Sequence, residues 1–221
     1  MSMKRFTGSG FSPLSTFKRW TGSAWQTLTT AKRYDGSRWV DLLDGGGDSG
    51  TITKTYALSS SQIYWNGGSQ DNQKDTSGVL IHGTWTGGLS NSRRSLLWFD
   101  GAIAADLQGA TITKVELYLY RENSSHGTSS AANIYIKTHD YSTKPSKWTG
   151  ADTGAADSGT PTLKRGAGAW FTLLNSVGEG LRDGTVKGIA LDADSSTSIS
   201  AYIRFIRTGS YAPKLRITYM K

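Results

Sequence analysis

The stretch Arg94 to Tyr120, RSLLWFDGAIAADLQGATITKVELYLY, constrains the fold more than any other. It reads as a buried strand (Leu96 to Phe99), a small-residue excursion with a helical turn over Ala102 to Leu107, and a second strand with a period near two. In that second strand Thr113, Val115, Leu117 and Leu119 share one face, and Ile112, Lys114, Glu116, Tyr118 and Tyr120 the other. A period of two with apolar residues on one side belongs to a sheet half buried against a core. Ile112 is the one apolar residue out of step.

The chain is long enough, at 221 residues, for one large β domain with a small appendage. Its 27 glycines and abundant aromatics against 4 prolines describe a turn-rich β protein rather than a disordered one. No apolar run reaches the length of a membrane span, and the N-terminus lacks the apolar segment of a signal peptide, so neither insertion nor export by an encoded signal is expected. The absence of cysteine removes disulfides, thiolate nucleophiles and Cys-ligated metal centres together. The formal charge is +8, yet the basic residues form no block of five, so a specific nucleic-acid site is not expected.

Residues 4 to 42 carry an internal repeat. KRFTGSGFSPL, KRWTGSAWQTL and KRYDGSRWVDL begin at Lys4, Lys18 and Lys32, a constant spacing of 14. Each copy has a basic pair, an aromatic (Phe6, Trp20, Tyr34), a Gly-Ser step, a second aromatic (Phe11, Trp25, Trp39) and a leucine. Aromatics before and after a turn face one another across a hairpin, and Asp35-Gly36 is the clearest turn signal. A lone hairpin cannot bury its apolar face. The rings are therefore expected to form a small core or an oligomer interface, with a sugar- or choline-type platform as the alternative. The unit resembles the aromatic-turn-aromatic repeats of choline-binding proteins, though shorter, and segments of bacteriophage tail and baseplate proteins. The latter likeness implies docking of a distal domain onto a larger particle.

The run LDGGGDSG breaks every pattern, which divides the chain into a repeat segment (1–43), a linker (44–50) and a main domain (51–221). In the main domain, strands are expected near Thr51–Leu58 (with Ile52 and Tyr56 inward), Val79–Trp85, Asn133–Thr138, Trp170–Leu174, Val186–Leu191, Ser200–Arg207 and Leu215–Tyr219, besides the two above. Leu174–Leu181 reads as a helical turn, NSVGEG making a poor helix interior. About nine strands in turn-rich sequence predict an all-β, two-sheet sandwich of jelly-roll type, with the last strand beside the first.

RSLLWFD, ITKVELYLY, AWFTL and YAPKLRITY resemble the DNRLRE-type domain, a jelly-roll module similar to carbohydrate-binding modules and found in bacterial surface and phage tail proteins. The likeness covers Thr51 to Lys221. It implies the fold more than a ligand, because its motifs occupy core positions.

Chemistry is sparse. The histidines His82, His126 and His139 fall in no metal-ligand spacing, and His139-Asp140, taken as a surface pair, is the best local couple for acid-base work. No catalytic residues are assigned. Asp192 and Asp194 share a face if their strand continues, and they are the candidate Ca²⁺ ligands; no other cofactor is expected. Tyr64, Trp65, Trp85 and Trp148 adjoin expected loops and are the candidate ligand aromatics, whereas Trp98 and Trp170 lie in dense apolar runs and belong in the core.

These features together lead to an expectation: a non-enzymatic component of a phage tail, baseplate or virion surface, homo-oligomeric and preferably trimeric. It would join other virion proteins through the hairpins and meet host cell-wall polysaccharide through the sandwich. The alternatives are a carbohydrate-binding module of an extracellular or cell-surface protein and a capsid decoration protein.

Overall fold

A computed structural model describes residues 4–6, 11–13, 18–27, 32–34, 39–41, 51–65, 68–71, 79–84, 92–123, 132–149, 154–156, 159, 161–192 and 202–221. The chain divides into two compact units, Met1–Thr51 and Ile52–Lys221.

The first unit contains three antiparallel hairpins: β1 (Lys4–Phe6) with β2 (Phe11–Pro13), β3 (Lys18–Trp20) with β4 (Trp25–Thr27), and β5 (Lys32–Tyr34) with β6 (Trp39–Asp41). The repeat sets the register. Phe6 stands opposite Phe11, Trp20 opposite Trp25, and Tyr34 opposite Trp39. In the middle hairpin Gly22 takes φ of 96°, the value the first central residue of a two-residue turn requires. The Thr21 hydroxyl accepts from the Ala24 amide (3.2 Å), while the Thr21 amide donates to the Ala24 carbonyl (3.0 Å). A threonine thus closes a turn whose sequence signal is weaker than Asp-Gly. The Asp35-Gly36 turn lies outside the described residues.

The second unit is mostly β, built on a curled antiparallel sheet. Its elements are β7 (Thr51–Trp65), β8 (Val79–Thr84), β9 (Ser92–Phe99), α1 (Ile103–Leu107), β10 (Thr111–Tyr120), β11 (Ala132–Asn133), β12 (Tyr135–His139), β13 (Gly154–Ala155), β14 (Thr162–Leu163), β15 (Gly168–Leu173), α2 (Asn175–Asp183), β16 (Gly188–Asp192), β17 (Ile203–Ile206) and β18 (Lys214–Met220). The strand order is β13-β12-β16-β9-β7-β18-β10-β15, with β8 joining β17 to β9.

The expected strand at Thr51–Leu58 runs on through Trp65, and its two halves do different work. Residues from Leu58 pair with β9, across a bulge between Leu58 and Ser60. The first half adjoins the last strand: the Thr53 and Thr218 hydroxyls lie 3.0 Å apart, and the Leu58 amide donates to the Pro213 carbonyl at 3.3 Å. Bulges bend strands, and β7 bridges β9 and β18 within the one curled sheet. The curled sheet closes over a shared core, to which β9, β12 and β16 give Leu97, Phe99, Ile136, Ile189 and Leu191. To the same core β10 and β18 give Val115, Leu117, Leu119, Leu215 and Ile217. Tyr56 is buried as expected, but Ile52 is exposed.

A second bulge explains the misfit in β10. The register against β18 shifts between Ile112 and Lys114, so the alternation slips by one residue. Ile112 therefore joins Val115 and Leu117 in the core, and Thr113 turns out to solvent. The helical reading of NSVGEG is also corrected, since α2 is a full nine-residue helix. Its glycines allow close packing on the sheet. A Cβ on Gly178 would stand 2.8 Å from Ile112 and 2.9 Å from Val115, and one on Gly180 would stand 2.5 Å from Val186. Contact overrides the low helix propensity of glycine.

Candidate functional site

The half-sheet of β7, β9, β16 and β12 is buried on both faces. Leu97, Ile189 and Leu191 point into the main core, and on the reverse face Tyr64, Leu96, Trp98, Trp148 and Ala190 form a second apolar cluster, with Tyr141 packed against it. The cover is the segment 140–149, pinned largely through its backbone. The Tyr64 hydroxyl and the Gln70 amide nitrogen each donate to the Pro145 carbonyl at 2.9 Å, the Trp98 indole donates to the Tyr141 carbonyl at 2.6 Å, and the Trp148 amide donates to the Gly68 carbonyl at 2.8 Å.

Tyr64 and Trp148 are therefore brought together, edge to face at 5.5 Å, but as core. Trp148 is 1% exposed. Neither ring offers a face to a ligand, which corrects their selection as loop-borne binding aromatics. Trp65 is half-buried with the Arg93 guanidinium over its ring, 3.1 Å from the centroid. Arg93 is itself buried and paired with buried Asp71 at 2.8 Å. A desolvated cation is tolerable only with such partners. Trp85 lies outside the described residues.

Asp192, selected for calcium, is buried between two cations. It stands beside Arg94 of β9 at 2.5 Å through Oδ1, and beside Lys137 of β12 at 2.6 Å through Oδ2. Both oxygens are engaged, so Asp192 is a structural anion and not a poised metal ligand. Asp194 lies outside the described residues, and among the described residues no three His, Asp or Glu side chains gather to hold a metal ion.

His139 departs furthest from expectation. It is 2% exposed, edge-on to Trp98 at 4.8 Å, with Nε2 3.1 Å from the Leu97 carbonyl. Burial drives its pKa down from 6.5 to about 4, outweighing the Leu97 hydrogen bond and the Asp140 charge that favour protonation. The imidazole is neutral at pH 7. With Nε2–H donating to Leu97, Nδ1 has no hydrogen-bond partner among the described residues. His139 is a packing residue, and the pair with Asp140 is no surface couple.

The other half-sheet presents a different outer face, which sequence reasoning missed. On it β10, β18 and β15 align Tyr118 with Lys214 and Trp170, and Glu116 with Arg216 and Thr172. Tyr118 and Trp170 lie 5.3 Å apart, the Arg216 guanidinium sits 4.0 Å from the Trp170 ring centre, and the Lys214 ammonium 5.6 Å from that of Tyr118. Tyr120 stacks on Tyr211 at 4.1 Å. Tyr211 is 48% exposed, while Tyr118, Tyr120 and Trp170 are half-buried. Trp170 is thus a surface residue, not core as expected, whereas Trp98 is core. The period-two pattern of YLY beside Glu116 and Lys114 was the signal available, since it puts tyrosines on the polar face.

Glycine shapes this face as well. A Cβ on Gly168 would stand 2.3 Å from the Tyr118 hydroxyl oxygen and 3.0 Å from Tyr120, so the two rings lean over a backbone that only glycine leaves clear. Glu116 is held ionised chiefly by its hydrogen bond from Arg216 at 2.8 Å, against the opposing effect of burial, with Lys114 adding to the first.

In the first unit Trp20 and Trp25 are 54% and 65% exposed, with ring centres 5.6 Å apart. The side chains of Phe6, Phe11, Tyr34 and Trp39 lie outside the described residues.

The fold defines an all-β chain with a curled antiparallel sheet. Compared with known proteins, it matches no protein-family model and no curated protein. No helix among the described residues is long and apolar enough to cross a membrane.

Proposed function

We propose that the chain is a non-enzymatic structural and adhesive component of a bacteriophage tail, baseplate or virion surface. Its hairpin repeat assembles copies into a closed homo-oligomer, and its second unit, a DNRLRE-like jelly roll, meets host cell-wall glycan. The observation that carries this reading is the pair Trp20 and Trp25, paired across a hairpin and more than half exposed. Two adjacent tryptophans in water are costly surface and mark an interaction site. The 14-residue repeat supplies the same paired positions three times. A trimer is the first closed state to test, and other virion proteins are the partners a terminal repeat would dock.

Light scattering on the full chain and on a chain starting at Thr51 tests it. A defined oligomer that collapses to monomer on truncation supports assembly through the repeat, and a monomer in both removes it. The second reading is a carbohydrate-binding module of an extracellular or cell-surface protein, favoured by the aromatic face of β10, β15 and β18. It requires a monomer that still binds glycan.

A further inference from the structure

The face of β10, β15 and β18 joins two recognition chemistries in one register. Tyr118, Trp170, Tyr120 and Tyr211 supply aromatic surface, and Lys214 and Arg216 stand within the same rows. Lys114 and Arg216 share one carboxylate, Glu116, at 2.9 and 2.8 Å. Three cations against one acid leave the face positive, in keeping with the +8 of the chain.

We propose that this face is a binding site for an anionic polysaccharide: a sugar ring lies against Tyr211, and the carboxylates or phosphodiesters of the chain meet Lys214 and Arg216. The assignment rests on the glycan-binding part of the function proposed above and names its residues and ligand charge. Two features separate the face from an ordinary solvated sheet surface. Glycine at position 168 makes room for the tyrosines, and the cations hold positions over the rings without covering Tyr211. A neutral glycan would use the rings and leave the charge idle. A nucleic acid would use both, which makes it the competitor to exclude.

The test is titration of the full chain with polygalacturonate, with its fully methyl-esterified form, and with a glycerol-phosphate polymer, at low and moderate salt. Binding of either anionic polymer is expected, at least about tenfold tighter than that of the methyl ester and weakening with salt. Tyr211→Ala, a change at an exposed turn residue, is expected to weaken it about tenfold, and Lys214→Gln to flatten its salt dependence. Preference for one anionic polymer identifies carboxylate or phosphodiester as the group recognised. Three results would overturn the proposal: no binding to either anionic polymer, equal binding of the methyl ester, or unchanged binding by both variants. Displacement by single-stranded DNA at equal charge concentration would assign the face to nucleic acid and overturn it too. Because the oligomer is read separately by light scattering, loss of glycan binding with an intact assembly removes this site alone.

Discussion

Gly188 leaves the space that the His139 imidazole fills. The two residues pair across β16 and β12, and a Cβ on residue 188 would stand 2.4 Å from His139 Nε2 and 2.1 Å from the Leu97 carbonyl oxygen. The second clash is with backbone and cannot be relieved by a rotamer. Gly188→Ala is therefore expected to cost about 3 kcal/mol, the upper part of the range for overpacking a tight core, read as a lower midpoint in urea denaturation.

Acid should act through the same imidazole. Its folded pKa of about 4 lies below the ordinary 6.5, so the unfolded chain takes up the proton first. The contribution is complete above about pH 6.5 and is lost progressively down to about pH 4; it amounts to about 3 kcal/mol. His139→Gln should flatten the slope of unfolding free energy against pH between those limits, whatever it does to stability at pH 7. An unchanged slope would assign the acid sensitivity to other groups.

Asp71 and Arg93 predict a second large effect. Removing the carboxylate takes from a buried guanidinium its charge partner at 2.8 Å, a loss that costs about 3–5 kcal/mol in comparable sites, so Asp71→Ala should destabilise the unit severely. Lys137→Ala should be mild, because Lys137 is more exposed and Arg94 still pairs with Asp192. Thermal melts of the two variants side by side decide it.

Tryptophans separate core from surface. Trp148→Ala opens a cavity under the 140–149 segment and should cost about 3–5 kcal/mol. Trp20→Ala with Trp25→Ala removes only exposed surface and should leave the melting of the second unit unchanged, while lowering the solution mass of the full chain. A melt and a light-scattering run on each variant make the comparison.

Much of the architecture was legible because it rests on periodicity. The strands around Leu96 and Leu117, the inward Ile134 and Ile136, and the register of the aromatic repeat all follow from spacing, and the last strand beside the first from the strand count and all-β class. Ile112 was out of step because a bulge resets alternation without a residue that announces it. The helix at Asn175 was unreadable from propensity, since Gly178 answers to Ile112 and Val115, distant in sequence, and Gly180 to Val186 just past the helix end. The cover over Tyr64 and Trp98 was hidden for another reason. Its anchors are the carbonyls of Tyr141 and Pro145, which any residue would supply. Loop position therefore suggested exposure for Trp148, where backbone hydrogen bonds enforce burial.

The antiparallel union of β7 with β18 sets how this unit bears tension. Thr53 and Thr218 lie side by side, and Lys54 and Lys221 both reach Asp106, one to its carboxylate and one to its carbonyl. The start of β7 and the end of β18 thus lie together at one end of the sheet. Pulling the linker against the C-terminus peels the two strands apart one hydrogen bond at a time. A load between Thr51 and the far end of β18 at Lys214 must instead shear the bonds of β18 to its neighbours together, so the fold yields to tension on its own ends sooner than to tension along its strands.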